Sequence, residues 1–487
     1  MDWKIGILLA YCSVIIAVGL FGYKKARSFS DFFLGGGGVG AIMTAFSYGT
    51  AYFSAVVFVG FAGTVGWSFG YSGLWIAAGN AFIGVLLVWL VVGPRIRKVA
   101  SEYGVATMPE LFEKRYQSSF LKLFSSICIF VFFIPYSAAV FIGLSYLFTA
   151  TFDIPYGHAL AFMGTFTAAY VVLGGYRSMA LIDVFFGMIM VIAVSTLLWS
   201  TVALGGGLAS LTDSVAAADP GLVSVVGPPG LWPLFSLVFL TSVAPVAMPQ
   251  LVQKFYAIRD ARAIRIGSWG STVFALLVCG VAYFLGASTR AFISQEKTPH
   301  VFDGDAPIFD ALMPELLLHV TPEKLTILIL LLILSASMST LAALVLISSS
   351  SVAKDVYAGF INPKVSDQAL TRLMRIASAG FILLSVVLAW ARPGTIVAIL
   401  AVSWGAIGSA FLGPFVWGLF WRRATRVGAI SSSILALSVC LTMYVLGAGS
   451  PAAGTVGMIV SLASCPLISI LFRRRSSSAE ENSQRAA

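Results

Sequence analysis

The sequence predicts an all-α polytopic membrane protein, and three observations carry that prediction. Of 487 residues, 59% are hydrophobic and only 10% charged, against about 25% charged in ordinary soluble domains. Apolar stretches of about 20 residues, the length that crosses a bilayer as a helix, recur along the whole chain. The basic residues between them fall mostly on alternate loops. A soluble chain of this length would divide into domains with charged surfaces, so a large hydrophobic enzyme is not expected.

In order, the stretches 5–23, 40–66, 71–93, 118–150, 157–174, 179–203, 231–257, 266–289, 324–353, 371–391, 394–420, 426–447 and 453–472 mark thirteen spans. Lys24, Lys25 and Arg27 follow the first without a small-residue cleavage site, which reads as a retained helix and not a cleaved signal. With the N-terminus outside and the C-terminus inside, all but five of the 30 basic residues face the cytoplasm. The exceptions are Lys4, Arg290, Lys297, Lys324 and Arg392. That asymmetry follows the positive-inside rule. It makes the net charge of +10 an anchor against anionic lipid and not a nucleic-acid footprint. The expectation is one transmembrane transport domain over residues 1–475, followed by a short disordered cytoplasmic tail, 476–487. Cys12, Cys128, Cys279, Cys440 and Cys465 lie in apolar runs with neither metal-ligand spacing nor the pattern of a disulfide framework.

Three spans carry polar detail that is costly in lipid. The second contains Thr44, Ser47, Thr50 and Ser54 with Gly49, Gly60 and Gly63. The seventh contains Pro245 and Pro249, each removing a helical hydrogen bond, so an unwound or kinked segment is expected there. The ninth contains Ser335, Ser337, Ser339 and Thr340. Hydroxyls and small residues also serve as ordinary glue between membrane helices. However, the second and seventh spans can each begin a five-helix unit, and paired interrupted helices at matching places point to a transporter's midplane site. Freed carbonyls and hydroxyls supply the hard oxygen ligands that a small alkali cation needs. Away from the span ends no charged side chain is expected at depth, Asp183 near the cytoplasmic start of the sixth span being the closest exception. Neutral oxygens hold sodium but cannot relay protons, which favours sodium coupling and argues against a membrane-embedded enzyme.

Four local motifs then carry a resemblance. They are Ser30-Asp31-Phe32-Phe33-Leu34-Gly35-Gly36, the run from Ala106-Thr107-Met108-Pro109-Glu110 to Tyr116, Gly174-Gly175-Tyr176 leading to Asp183, and Ser339-Thr340 with Lys354-Asp355-Val356-Tyr357. In this order and spacing they make the chain similar to the sodium:solute symporter family. The resemblance implies a leucine-transporter-like fold of inverted repeats, over about 40–203 and 231–420, with peripheral helices 5–23, 426–447 and 453–472. It also implies one co-transported sodium between the second and ninth spans, held by carbonyls of Thr50, Phe53 and Ala336 and the hydroxyls of Ser339 and Thr340. Ala336, Ser339 and Thr340 share one helix face by their spacing. Ala342 and Ala343 stand where some relatives place hydroxyls for a second ion, so one sodium per cycle is expected. Asp183 falls near the cytoplasmic sodium exit.

Candidate substrate contacts are Tyr52, Ser54, Asn80, Thr241, Pro245 and Gln250. Against the proline-transporting members, Tyr52 stands at an Asp position, Thr241 at a Trp, Pro245 at a Tyr and Phe186 at a frequent Gln, while Ser54 and Pro249 are kept. The set suits a small polar solute such as an amino acid, a monocarboxylate or a pantothenate-like acid, its charge met by half-helix amides. A proton-coupled carrier or uniporter of the same fold, and a transporter-derived solute sensor, stay open as alternatives. The expected partners are the solute, sodium and the lipid of the plasma (cytoplasmic) membrane, with no nucleic acid and no obligate protein partner.

Overall fold

In hydrocarbon every backbone N–H and C=O must find a partner within the chain, and apolar segments do so as helices. The computed structural model describes residues 2–25, 29–35 and 39–486 and is built almost entirely of helices. In chain order they are α1 (Asp2–Lys25), α2 (Phe29–Leu34), α3 (Ala41–Tyr52), α4 (Ala62–Phe69), α5 (Leu74–Gly79), α6 (Gly93–Tyr103), α7 (Met108–Tyr116), α8 (Ser119–Phe152), α9 (Tyr156–Leu204) and α10 (Leu208–Ala218). There follow α11 (Leu231–Val243), α12 (Pro249–Ala257), α13 (Ala261–Phe292), α14 (Phe309–Val320), α15 (Thr326–Ser350), α16 (Asp367–Ala391), α17 (Ile396–Phe420), α18 (Arg426–Val445) and α19 (Ser450–Ala486). A short hairpin, β1 (Phe302–Asp303) with β2 (Ala306–Pro307), lies between α13 and α14. Arg27 and Gly36 lie outside the described residues.

Ten helical stretches among the described residues are long and apolar enough to cross a membrane, or eleven if the bent pair α11–α12 is one span. The distance from thirteen has local causes. α3 stops at Tyr52 after 12 residues because Phe53 turns extended (φ −107°, ψ 104°). The chain then runs helically from Val56 to Tyr103, joining the rest of the second expected span to the third. The fifth and sixth expected spans are likewise one helix, α9, that turns at Gly175. α19 runs from Ser450 to Ala486 and so takes in residues expected as a tail.

α15 lies at the centre: every residue from Leu332 to Ser350 is buried, whereas α16 and α18 expose Leu383, Val387, Ile434 and Leu435 outward. α8, α9 and α16 pack on α15, α9 and α13 pack on α3, α17 packs on α8, and α18 and α19 pack on α17 at the flank. α4 and α13 cross so closely that a Cβ on Gly66 would lie 2.0 Å from the Gly286 backbone. Only the missing side chains permit that approach.

The two interrupted segments are tied at successive levels. Val39 N–H donates to the Ala257 carbonyl at 3.2 Å and Arg259 N–H to the Val39 carbonyl at 3.1 Å. At the level of the breaks, the Tyr52 hydroxyl donates to the Thr241 carbonyl at 2.5 Å.

Candidate functional site: an oxygen cluster between two helices

The break after Tyr52 frees backbone carbonyls that a continuous helix would use. α15 presents its hydroxyl face to them. Thr340 Oγ1 lies 3.3 Å from the Thr50 carbonyl, 3.2 Å from that of Ala51 and 3.1 Å from that of Ala336. Ser339 Oγ and Thr50 Oγ1 are 2.8 Å apart, and Thr50 Oγ1 donates to the Phe46 carbonyl. Just past the break the Ala55 N–H donates to Ser337 Oγ at 3.1 Å. Apart from the half-buried Phe46, all of these residues are buried. Thr50, Ala336, Ser339 and Thr340 therefore converge as the sequence suggests. The Ala51 carbonyl, and not that of Phe53, is among the atoms Thr340 touches. Phe53 instead stacks its ring on Tyr52, with centroids 4.5 Å apart. Such a cluster of neutral oxygens matches the coordination preferences of a small hard cation.

Charged groups near the ends of expected spans, Asp183 among them, are buried in the protein. Asp183 is 1% exposed and accepts a hydrogen bond from Ser47 at 2.5 Å. Its carboxylate lies beside the hydroxyls of Ser339 and Thr50, and its Oδ1 has no hydrogen-bond partner among the described residues. Lys254, which the loop pattern assigns to the cytoplasmic surface, is 1% exposed on α12 and donates to the same Ser47 hydroxyl at 2.8 Å. Opposite charges linked through one hydroxyl make burial tolerable. With these groups beside the cluster, the absence of titratable residues no longer favours sodium over protons.

The four sequence motifs meet in pairs. The turn at Gly175 (φ 68°) seats its backbone against Phe32, where a Cβ would lie 2.9 Å from the ring. That turn carries the Tyr176 ring to 5.0 Å from the Lys254 ammonium, and Gln253 donates to the Phe33 carbonyl at 2.8 Å. Thr107 caps α7 and donates to Asp355 at 2.6 Å. Glu110 lies 3.7 Å from Lys354. Asp355 too is buried, a further charge that the span pattern did not anticipate.

Four of the six candidate substrate residues, Tyr52, Ser54, Asn80 and Thr241, line one internal cavity of about 20 Å³. Tyr136, Tyr283 and Trp404 join them, and Trp404 packs 5.9 Å from Tyr52 and 5.8 Å from Tyr136. These three rings escaped the sequence reading because an aromatic on a buried helix face has no local mark that separates packing from contact. Pro245 and Gln250 do not line this cavity: Pro245 lies in the tight turn Ala244–Ala247, and Gln250 is buried in the first turn of α12 with neither amide atom paired. About 20 Å³ is room for a single water, so a solute enters only if these walls move. A larger apolar groove of about 290 Å³ between α3 and α13 is lined by residues such as Ile42, Val273 and Leu277 and has no part in this chemistry.

Residues 32–436 match the family described as "Sodium:solute symporter family". A high-affinity proline transporter of Bacillus subtilis (strain 168) is 29% identical, over 86% of this chain and 88% of its own length. A sodium/pantothenate symporter of Escherichia coli (strain K12) is 29% identical over 88% of each. A sodium/proline symporter of Staphylococcus aureus (strain JH9) is 28% identical over 89% of this chain and 84% of its own. Among solved structures, a substrate-bound outward-open Na+-coupled sialic acid symporter superposes with a TM-score of 0.82 at 16% identity, covering 96% of this chain and 97% of that one. A nucleobase-cation-symport-1 family transporter superposes with a TM-score of 0.52 at 14% identity, over 90% and 93%.

Proposed function

The chain belongs to the sodium:solute symporter family, a family of transporters and not enzymes, and from that premise we propose that it imports a small polar organic solute by alternating access with one sodium per cycle. The observation that carries this reading is the convergence of Thr50, Ser339 and Thr340 at the break after Tyr52. Sodium sits among these oxygens together with the carbonyls of Ala51 and Ala336. The solute sits in the adjoining cavity against Tyr52, Ser54, Asn80 and Thr241, with Tyr136, Tyr283 and Trp404 as further walls. Ala342 and Ala343 offer no side-chain oxygen for a second ion. The arrangement in the plasma membrane is thirteen spans with the N-terminus outside and the C-terminus inside, the short and fused helices counted separately.

One sodium entering across about 100 mV releases roughly 2.3 kcal/mol. At about 1.4 kcal/mol per tenfold, voltage alone sustains roughly fifty-fold accumulation of a neutral or zwitterionic solute. Proline, pantothenate and sialic acid, named for the relatives and the fold neighbour, form the first panel of solutes to offer. All three carry a carboxylate, and with no free cation lining the cavity among the described residues its charge is met by backbone amides.

The buried Asp183 and Lys254 are the observation that favours the rival, a proton-coupled carrier of the same fold. Uptake of the panel into proteoliposomes separates the two. An inward sodium gradient drives accumulation in our reading, and a pH gradient without sodium does not. Accumulation driven by the pH gradient and indifferent to sodium would refute it.

A further inference from the structure

We infer that Lys254 is a built-in counter-cation of the sodium site, one that holds the site's buried carboxylate when sodium is absent and releases it when sodium binds. The inference rests on the sodium reading above and goes beyond it. Two contacts form a chain: Lys254 Nζ donates to Ser47 Oγ, and Ser47 Oγ donates to Asp183 Oδ2. Ser47 lies one helical turn before Thr50 on α3, which sets the carboxylate beside the hydroxyls of Thr50 and Ser339. One buried negative charge thus stands between two places for a positive one, the ammonium on one side and the oxygen cluster on the other.

A buried carboxylate needs a compensating charge. With the cluster empty, Lys254 supplies it through Ser47. A sodium ion at Thr50, Ser339 and Thr340 supplies the same compensation from the opposite side, leaving the ammonium and the ion as two cations against a single anion. Each then weakens the other's hold, and the coupling is reciprocal by linkage. Lys254 suits this role better than a fixed cation would, being a compact charge on a flexible four-carbon stem.

The surroundings give the ammonium somewhere to go. Tyr176 offers its ring face at 5.0 Å, and cations rest favourably on such faces. Lys254 also belongs to the short helix α12, which meets α11 at a bend of 41° across the turn containing Pro245. That bend gives α12 a point about which to shift relative to α3. Sodium binding is thereby converted into a change in one of the ties between the two broken helices.

The test uses the purified full-length chain and sodium alone. Radioactive sodium binding is measured for wild type, Lys254→Met and Lys254→Arg, and the methylation rate of Lys254 in wild type is read by mass spectrometry in sodium and in choline. Lys254→Met is expected to bind sodium about tenfold more tightly, with Lys254→Arg close to wild type. Sodium is expected to speed methylation of Lys254 severalfold over choline. A lysine that only braces the fold gives no sodium-dependent methylation, and that result overturns the inference even if Lys254→Met fails to fold. Unchanged or weaker sodium binding by a folded Lys254→Met overturns it too. Wild type that binds no sodium defeats the sodium reading itself, and the inference with it.

Discussion

The two interrupted helices close their breaks in different ways. At the first, the carbonyls freed after Tyr52 meet hydroxyls of α15, so the break is lined with oxygen from two helices. At the second, a tight turn at Pro245 leads directly into Pro249 at the start of α12, and its neighbours Val246, Ala247 and Met248 are apolar and buried. The polar chemistry of α12 is displaced a full turn onward, to Gln253 and Lys254. The first break thus gathers oxygens from two helices, and the second bends the chain. A proline break alone does not make a site; it needs a partner helix that presents donors and acceptors at the same depth.

The largest expected effects test that division. Ser339→Ala removes one oxygen from the first break and is expected to weaken the sodium dependence of uptake by about tenfold or more, about 1.4 kcal/mol. Gln250→Leu, at the second break, is expected to leave it unchanged, since neither atom of that amide has a partner to lose. Equal losses in the two variants would break the comparison.

Gly66→Ala comes next. Its methyl would overlap the Gly286 backbone, so the crossing of α4 on α13 must open, at about 1–3 kcal/mol. Thermal unfolding in detergent checks this, and an unchanged midpoint contradicts the packing described. Tyr52→Phe probes the tie between the breaks: it leaves the buried Thr241 carbonyl without its donor, at about 1–3 kcal/mol. The apparent affinity for solute is expected to fall more than that for sodium, because Tyr52 lines the cavity and its side chain takes no part in the oxygen cluster.

The smallest effect lies outside the spans. Asp310 on α14 accepts the Ile396 N–H at the start of α17 at 3.1 Å, and burial pushes its carboxyl up to about 6. A raised carboxylate pKa means the protonated form is favoured in the fold. Stability from this group is therefore full below the ordinary carboxylate range and lost as pH rises through about 6. Wild type is expected to gain about 1 kcal/mol between pH 7 and pH 5 from this group. Asp310→Asn removes that contribution, and stability curves of the two proteins against pH check the difference.

Much of this was legible in the sequence, and the reasons are physical. Helices in lipid announce themselves by length and hydropathy, and Ser339 and Thr340 stand out because hydroxyls are costly there. The turn at Gly175 and the cap at Thr107 were visible as motifs, but their pairing with Phe32 and Asp355 was not, because pairing across helices leaves no local mark. Lys254 illustrates this most clearly. A lysine near a span's cytoplasmic end reads as one whose charge snorkels to water, and only the position of Ser47 and Asp183 turns it inward. The contact of Thr340 with the Ala51 carbonyl depends on backbone dihedrals at the break, which composition does not encode.

Thr340 touches three carbonyls across the two helices, so sodium binding by its variants tests the account most directly. With radioactive sodium and the purified chain, Thr340→Ala is expected to bind at least about tenfold more weakly than wild type, about 1.4 kcal/mol or more, while Thr340→Ser stays close to it. A folded Thr340→Ala that binds sodium as tightly as wild type would contradict the assignment of the ion to this cluster.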